Sequence, residues 1–142
     1  MPDRSLYPFA ALQIVVAAAL LLWFTVFYPG AWDLQRVIGT ALMIIGLGGI
    51  ATARYQLGRS FSVSAQARQL VTHGLYAKIR NPIYVFGTVL IAGLVLIVRR
   101  PVLWAFFAAM VIVQILRARR EARVLEAAFG DAYREYRSKT WF

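Results

Sequence analysis

A run of 28 residues without a charged side chain, Ser5 to Trp32, limits what this chain can fold into more than any other feature. About 20 apolar residues are enough for a helix to cross a bilayer, so the run predicts a transmembrane helix at about Leu6 to Tyr28. It is longer than the apolar region of a signal peptide and is expected to belong to the mature protein. The composition agrees, because 61% of the 142 residues are hydrophobic and only 15% are charged.

Three further apolar runs predict helices that enter the membrane. They are Val37 to Ala53, Asn81 to Val98, and Pro101 to Leu116. The first of these extends to about Leu57 if the Arg54 side chain reaches the headgroups. Asp33 and Arg36 are assigned to the turn before the second run, and Gly46, Gly48 and Gly49 within it favour close approach of another helix. The sequence thus predicts an all-α integral membrane bundle of about four transmembrane helices in a single domain, residues 1–142.

The fourth run continues without a helix breaker into a polar segment. We therefore expect one long helix that ends at Phe129, with Gly130 just beyond it. The residues from Asp131 onward are predicted to form a short amphipathic tail on the membrane. Its aromatic residues are expected at the membrane interface: Tyr133, Tyr136, Trp141 and Phe142.

The distribution of basic residues predicts the orientation. Four spans place both termini and the loop from Arg54 to Arg80 on one side of the membrane, with 13 of the 16 lysines and arginines. The other three, Arg36, Arg99 and Arg100, lie on the opposite side. The positive-inside rule then places the termini and the loop in the cytoplasm, most simply at an inner membrane.

Composition also excludes several classes of function. The sequence has no cysteine and one histidine, so no thiolate chemistry, disulfide or metal site is expected. The net charge of +10 comes from residues beside apolar runs, which favours anionic lipid headgroups over nucleic acid as the partner. Nothing in the sequence bears on the oligomeric state.

Two polar segments carry the residues that could perform chemistry. The first is Arg68 to Tyr84, RQLVTHGLYAKIRNPIY, which holds the only histidine, His73, interpreted as a turn residue before Gly74. The second is the polar part of the long helix, where Arg117 and Glu121 share one face. Each segment also has a simpler interpretation: the first as the interfacial start of a helix, the second as a solvated basic collar.

Both segments together resemble the isoprenylcysteine carboxyl methyltransferase family and its relatives among phospholipid methyltransferases. The first motif of that family is matched by Leu70, Val71, Gly74, Tyr76, Arg80, Asn81, Pro82 and Tyr84. The second is matched by Arg117, Glu121, Leu125, Phe129, Gly130, Tyr133 and Tyr136. The motifs occur in the family's order and flank an apolar hairpin. The resemblance covers about Gly58 to Tyr136.

The resemblance implies an integral membrane methyltransferase that uses S-adenosylmethionine, releases S-adenosylhomocysteine and acts on a lipophilic acceptor. It divides the domain into two N-terminal spans, residues 1–57, and a cofactor-binding catalytic core, residues 58–142. It implies that Arg117 and Glu121 are catalytic and that Arg80 and Arg117 bind the acceptor. It assigns the cofactor to Arg68, Gln69, Leu70, Val71, Tyr76, Asn81, Pro82, Ile83, Tyr84 and Glu121.

The chain departs from the family pattern at two positions. Asn81 replaces a frequent histidine, and Ala122 stands where a second glutamate is common, so the identity of the acceptor stays open. Ser60-Phe61-Ser62 loosely matches a polar strip that borders the cofactor in relatives. The alternatives are an N-methyltransferase of phosphatidylethanolamine type, a steroid-reductase-like enzyme that uses NADPH, and a scaffold without enzymatic activity that binds anionic lipid.

Overall fold

The computed structural model describes residues 15–57 and 70–142. Every regular element in these two ranges is helical, which confirms the all-α prediction for the described chain. The α-helices are α1 (Val15–Phe27, whose last turn, Trp23–Phe27, is a π-helix), α2 (Leu34–Leu57), α3 (Pro82–Val98), α4 (Pro101–Phe129) and α5 (Asp131–Lys139). A 3₁₀ turn, Gly74–Ala77, precedes α3. Predictions made for residues 1–14 and 58–69 lie outside the described residues.

Two of the helices are long and apolar enough to cross a membrane. These are α2, with 24 residues, and α4, with 29 residues. The described part of α1 and the 17 residues of α3 are apolar but shorter. A 17-residue helix extends for about 25 Å, somewhat less than the thickness of the hydrocarbon core.

Helices α2 and α3 pack against each other in antiparallel directions through glycine. A Cβ atom at Gly39 would lie 2.8 Å from the carbonyl oxygen of Gly93, and one at Gly46 would lie 2.6 Å from the backbone nitrogen of Leu90. A Cβ atom at Gly49 would lie closer still to the Phe86 ring. The prediction of close approach is confirmed for Gly46 and Gly49. It is wrong for Gly48, because a Cβ atom built at this residue would have no neighbouring atom within 4 Å.

The start of α2 differs from the prediction. Arg36 was expected in a turn, but α2 begins at Leu34 and Arg36 lies in its first turn, only 4% exposed. The Asp33 carboxylate accepts a hydrogen bond from the Arg36 amide at 3.0 Å and caps the helix. The Arg36 guanidinium donates to the carbonyls of Thr25, Tyr28 and Gly30 at 2.7–2.9 Å. These bonds satisfy the end of α1, which explains why a charged side chain is buried here.

The predicted reversal and long helix are confirmed. Arg99 adopts the left-handed conformation with φ 57°, and Pro101 begins α4 two residues later. The helix ends at Phe129 as expected, and Gly130, with φ 52°, connects it to α5. Glycine suits this position because a positive φ carries no Cβ penalty there.

Helix α5 packs back against the protein. Tyr133 and Tyr136 are 2% and 8% exposed, so the prediction that they lie at the membrane interface is wrong. The Tyr136 hydroxyl donates a hydrogen bond of 2.8 Å to the backbone carbonyl of Tyr76 in the 3₁₀ turn. Trp141, by contrast, is 58% exposed.

Candidate active site

The polar group at the centre of the candidate site joins α3 to α4. Tyr84, in the first turn of α3, donates a hydrogen bond from its hydroxyl to the Glu121 carboxylate of α4. The two residues are 37 positions apart in sequence. Pro82 at the start of α3 is suited to a first turn because it lacks an amide hydrogen that would need a partner. Glu121 is half-buried, so one side of the carboxylate is held while the group stays accessible.

Tyr76 lies beside this pair, held by contacts from two other helices. The Gln56 side chain of α2 accepts a hydrogen bond from the Leu75 amide at 2.7 Å, and Tyr136 of α5 binds the Tyr76 carbonyl. Burial raises the pKa of the Tyr76 hydroxyl well above its ordinary value, and the nearby Tyr136 and Glu121 raise it further. Tyr76 therefore stays neutral, and the negative charge of Glu121 acts on it.

Two arginines border the same region. The Arg117 guanidinium is near enough to the Tyr84 hydroxyl to interact with it, and Arg117 is exposed. Arg80 is half-buried, and its Nε atom is buried without a hydrogen-bond partner. Arg117 thus lies near Tyr84 and Arg80 near Tyr136, and neither forms an ion pair with Glu121 in the described chain.

Residues 140–142 hold the loop before α3, which the sequence did not predict. The Trp141 amide donates to the Lys78 carbonyl at 3.0 Å, and the Arg80 amide donates to the Trp141 carbonyl at 3.2 Å. The Asn81 amide donates to the Phe142 carbonyl at 3.1 Å. Backbone pairing of this kind depends little on side-chain type, so the sequence carries no signal for it.

The structure brings together some of the residues predicted for the site. Tyr76, Tyr84, Arg117 and Glu121 form one cluster, and Arg80 lies beside it through Tyr136. The other predicted residues in the described chain are half-buried, except for the fully buried Pro82: Leu70, Val71, Asn81, Pro82 and Ile83. Arg68, Gln69 and Ser60-Phe61-Ser62 lie outside the described residues.

The turn prediction for His73 agrees with the structure. His73 is exposed, and its carbonyl accepts the Tyr76 amide at 3.1 Å, which closes the 3₁₀ turn. Gly74 follows with φ 61°, and a Cβ there would overlap the Gln56 side chain. In residues 15–57 and 70–142, no group of three or more histidines, cysteines, aspartates or glutamates could hold a metal ion.

Comparison with known proteins decides the family. The family model described as phospholipid methyltransferase matches residues 34–132, more than two thirds of the chain. The chain belongs to the phospholipid methyltransferase family. This membership confirms the resemblance drawn from the two motifs, and the matched range contains Tyr76, Tyr84, Arg117 and Glu121. Membership of this family, together with the two long apolar helices, indicates a membrane protein.

A curated relative adds a more specific likeness. The chain is 35% identical over 102 residues to the protein-S-isoprenylcysteine O-methyltransferase of Schizosaccharomyces pombe. The matched region is 63% of this chain but 40% of the relative, so the chain spans less than half the length of that protein. No solved structure matches the chain significantly.

The side chains in the cluster fit a cofactor of the S-adenosylmethionine type. That molecule carries a cationic sulfonium, an ammonium group and a ribose diol. A half-buried carboxylate can accept hydrogen bonds from the ammonium or the diol, and tyrosine rings favour a nearby cation. Glu121, Tyr76 and Tyr84 supply this combination within one cluster.

Proposed function

We propose that the chain is an S-adenosylmethionine-dependent integral membrane methyltransferase that resembles isoprenylcysteine carboxyl methyltransferase. The observation that carries the proposal is the Tyr84–Glu121 hydrogen bond beside Tyr76, formed between the two family motifs. The acceptor is a carboxylate on a lipid or a lipid-linked molecule. The curated relative, an isoprenylcysteine O-methyltransferase, supports oxygen as the methylated atom.

In this proposal the cofactor is held by the Glu121 carboxylate, the two tyrosines and the residues at positions 68–71 and 81–83. When bound, the cofactor supplies an activated methyl group on a sulfonium. Tyr84 keeps one Glu121 oxygen occupied and fixes the orientation of the carboxylate, so its other oxygen points consistently to a ligand. The protein's main tasks are to exclude water and to align the acceptor.

Arg117 and Arg80 would orient the acceptor carboxylate. An arginine fork can bind both oxygens of a carboxylate, which limits its rotation and presents one lone pair for attack. A carboxylate is already ionised at neutral pH, so O-methylation requires no base in the site. The positive charges of Arg117 near Tyr84 and Arg80 near Tyr136 therefore suit a carboxylate acceptor better than a cationic one.

A second candidate is N-methylation of a phosphatidylethanolamine-type lipid. The description of the matching family model, phospholipid methyltransferase, favours it. An ammonium acceptor must lose a proton before attack, and Glu121 is the carboxylate placed to take it. In that case Arg117 would bind the lipid phosphate instead of a carboxylate.

The site's position in the membrane follows from the same proposal. We take the chain to cross an inner membrane four times, with both termini and the catalytic core, residues 58–142, at the cytoplasmic face. The polar cofactor would enter from the cytoplasm, and the lipophilic acceptor would enter sideways between helices. A site at the boundary between the two phases is accessible to both molecules.

Titration calorimetry of the purified protein in detergent tests the cofactor assignment. We expect S-adenosylhomocysteine to bind and NADPH not to bind. Glu121→Gln should weaken S-adenosylhomocysteine at least about 10-fold, because a hydrogen bond to a charged group contributes about 1.5–3 kcal/mol. Glu135→Gln, on the exposed face of α5, is the matched control and should bind normally. Binding of NADPH alone would indicate the oxidoreductase, and binding of neither would favour the lipid scaffold.

The same variants separate the cofactor from the acceptor. Arg117→Ala should keep S-adenosylhomocysteine binding but lose turnover, and equal loss of binding in both variants would contradict the assigned roles. The product of transfer from labelled cofactor distinguishes the two acceptors. Base treatment releases a methyl ester as methanol but leaves an N-methyl group attached, so base-stable label would exclude the carboxylate acceptor.

A further inference from the structure

A cavity of about 330 Å³ lies at the end of the bundle opposite to the candidate active site. It is formed where α1 ends, α2 begins and α3 turns into α4. Its lining includes Tyr28, Arg36, Val98, Arg99 and Arg100. Tyr84 and Val98 are 14 residues apart on α3, which separates the cavity from the Tyr84–Glu121 pair by about 21 Å.

The cavity has an excess of positive charge. Arg36 is 4% exposed, and its Nε atom is buried without a hydrogen-bond partner, although its other nitrogens bind three carbonyls. The Asp33 carboxylate forms an ion pair with Arg99, whereas it binds only the backbone amide of Arg36 and not its guanidinium. Arg100 is exposed at the rim. Asp33 thus balances the charge of Arg99, and the positive charges of Arg36 and Arg100 remain without a carboxylate partner in the cavity lining.

Four helix ends meet at the cavity. α1 and α3 end there, and carbonyls near their ends accept hydrogen bonds from Arg36, Tyr28 and Gln35. α2 and α4 begin there, and each presents the positive end of its dipole. Asp33 caps α2, but α4 has no side-chain cap and no acidic residue in its first turn. Arg100 and Pro101, which begin α4, both line the cavity. An uncapped helix start beside a buried arginine is a favourable environment for an anion.

The cavity's surroundings favour an anion that belongs to a lipid. Its lining also contains the apolar side chains of Ile97 and Val98 and the ring of Tyr28. Trp32, which is 60% exposed, stacks its ring on Arg36 with the guanidinium 4.7 Å from the ring centre. Exposed tryptophans prefer the depth of the membrane interface, where phospholipid phosphates lie.

We propose that this cavity binds the phosphate group of an anionic lipid from the leaflet opposite to the active site. Arg36 and Arg100 contact the phosphate oxygens together with the start of α4. The lipid would balance the positive charge of the cavity and join α1, α2 and α4 at this end. Free inorganic phosphate shares the chemistry, and the experiment separates these two sources.

Calorimetric titration of the full-length protein in detergent tests the site with three probes: dioctanoyl-phosphatidylglycerol, dioctanoyl-phosphatidylcholine and inorganic phosphate. We expect the phosphatidylglycerol to bind most tightly, and Arg100→Gln to weaken it about 10-fold, the loss of one charged hydrogen bond. Arg137→Gln, an exposed arginine on α5 at the other end, is the control and should bind as the wild type does. Arg36→Gln should have a larger effect, but Arg100→Gln decides because Arg36 also supports the fold.

The outcomes distinguish the site from general attraction to a basic protein. Equal losses in Arg100→Gln and Arg137→Gln, or no loss in Arg100→Gln, would overturn the proposal. If inorganic phosphate binds as tightly as the lipid and is weakened equally by Arg100→Gln, the anion site stands but its ligand is free phosphate. S-adenosylhomocysteine binding should be unchanged in Arg100→Gln, so the result is independent of the proposed methyltransferase activity.

Discussion

Tyr136 shows how one side chain connects α5 to the candidate site. Its hydroxyl donates to the Tyr76 carbonyl at 2.8 Å, and the residue is 8% exposed. Burial and, to a smaller extent, the neighbouring Tyr133 raise the pKa of Tyr136 to about 12, while Arg80 acts in the opposite direction. The folded protein thus holds the phenol proton more tightly than an unfolded chain, in which the pKa is about 10.

We predict that Tyr136→Phe destabilises the protein at neutral pH by about 1–3 kcal/mol, because the buried Tyr76 carbonyl loses its donor. The sign of the pH dependence follows from the raised pKa. The contribution of Tyr136 is complete below pH 10 and is lost as the pH rises towards 12, so the wild type should weaken across that range more than the phenylalanine variant. Thermal unfolding in detergent at neutral and alkaline pH measures both effects.

Tyr55→Phe is the control, since Tyr55 is 88% exposed and should affect neither quantity. A Tyr136→Phe protein as stable as the Tyr55→Phe protein would show that the hydrogen bond does not hold α5 in place.

The sequence identifies candidate site residues but not the contacts between them. The motifs named Tyr84 and Glu121, but the hydrogen bond between them depends on how α3 and α4 are aligned, which no local pattern specifies. Arg36 was misplaced for a related reason. A charge beside an apolar run is normally assigned to a turn, whereas here three carbonyls at the end of α1 make its burial favourable.

At the level of helices, the apolar runs predicted which segments are helical better than they predicted how the helices pack. Long uncharged segments and prolines gave α3, α4 and the reversal at Arg99 with nearly correct bounds. The face that each helix presents was harder to predict, because glycines at positions 46, 48 and 49 look equivalent in sequence. Only the neighbouring helix shows that Gly46 and Gly49 are contacts and Gly48 is not.

This difference gives a matched pair of substitutions. Gly46→Ala should destabilise the protein by about 1–3 kcal/mol, because the new methyl group would overlap the Leu90 backbone and force α2 away from α3. Gly48→Ala has open space and should be neutral or stabilising by up to about 1 kcal/mol through helix propensity. Thermal unfolding of both variants in one detergent makes the comparison, and equal melting temperatures would contradict the observed packing of α2 on α3.

The whole molecule has two chemically different ends. One contains the Tyr84–Glu121 pair, the 3₁₀ turn and α5, and includes most of the basic residues of the described chain. The other contains the buried Arg36 and the Asp33–Arg99 ion pair. The positive-inside rule predicts that the first end lies in the cytoplasm. The proposed methyl transfer from a cytoplasmic cofactor would require the same placement.

Single cysteines can test this orientation because the natural chain contains none. Ala31→Cys lies in the connection before α2 and Ser138→Cys lies on α5; both residues are exposed and uncharged, so the charge distribution stays the same. In intact cells, a membrane-impermeant maleimide should label Ala31→Cys at once and Ser138→Cys only after permeabilisation. The reverse pattern would invert the orientation. The four-span arrangement requires three crossings between these positions, by α2, α3 and α4. Labelling of both cysteines from outside would place both positions on one side of the membrane and contradict that arrangement.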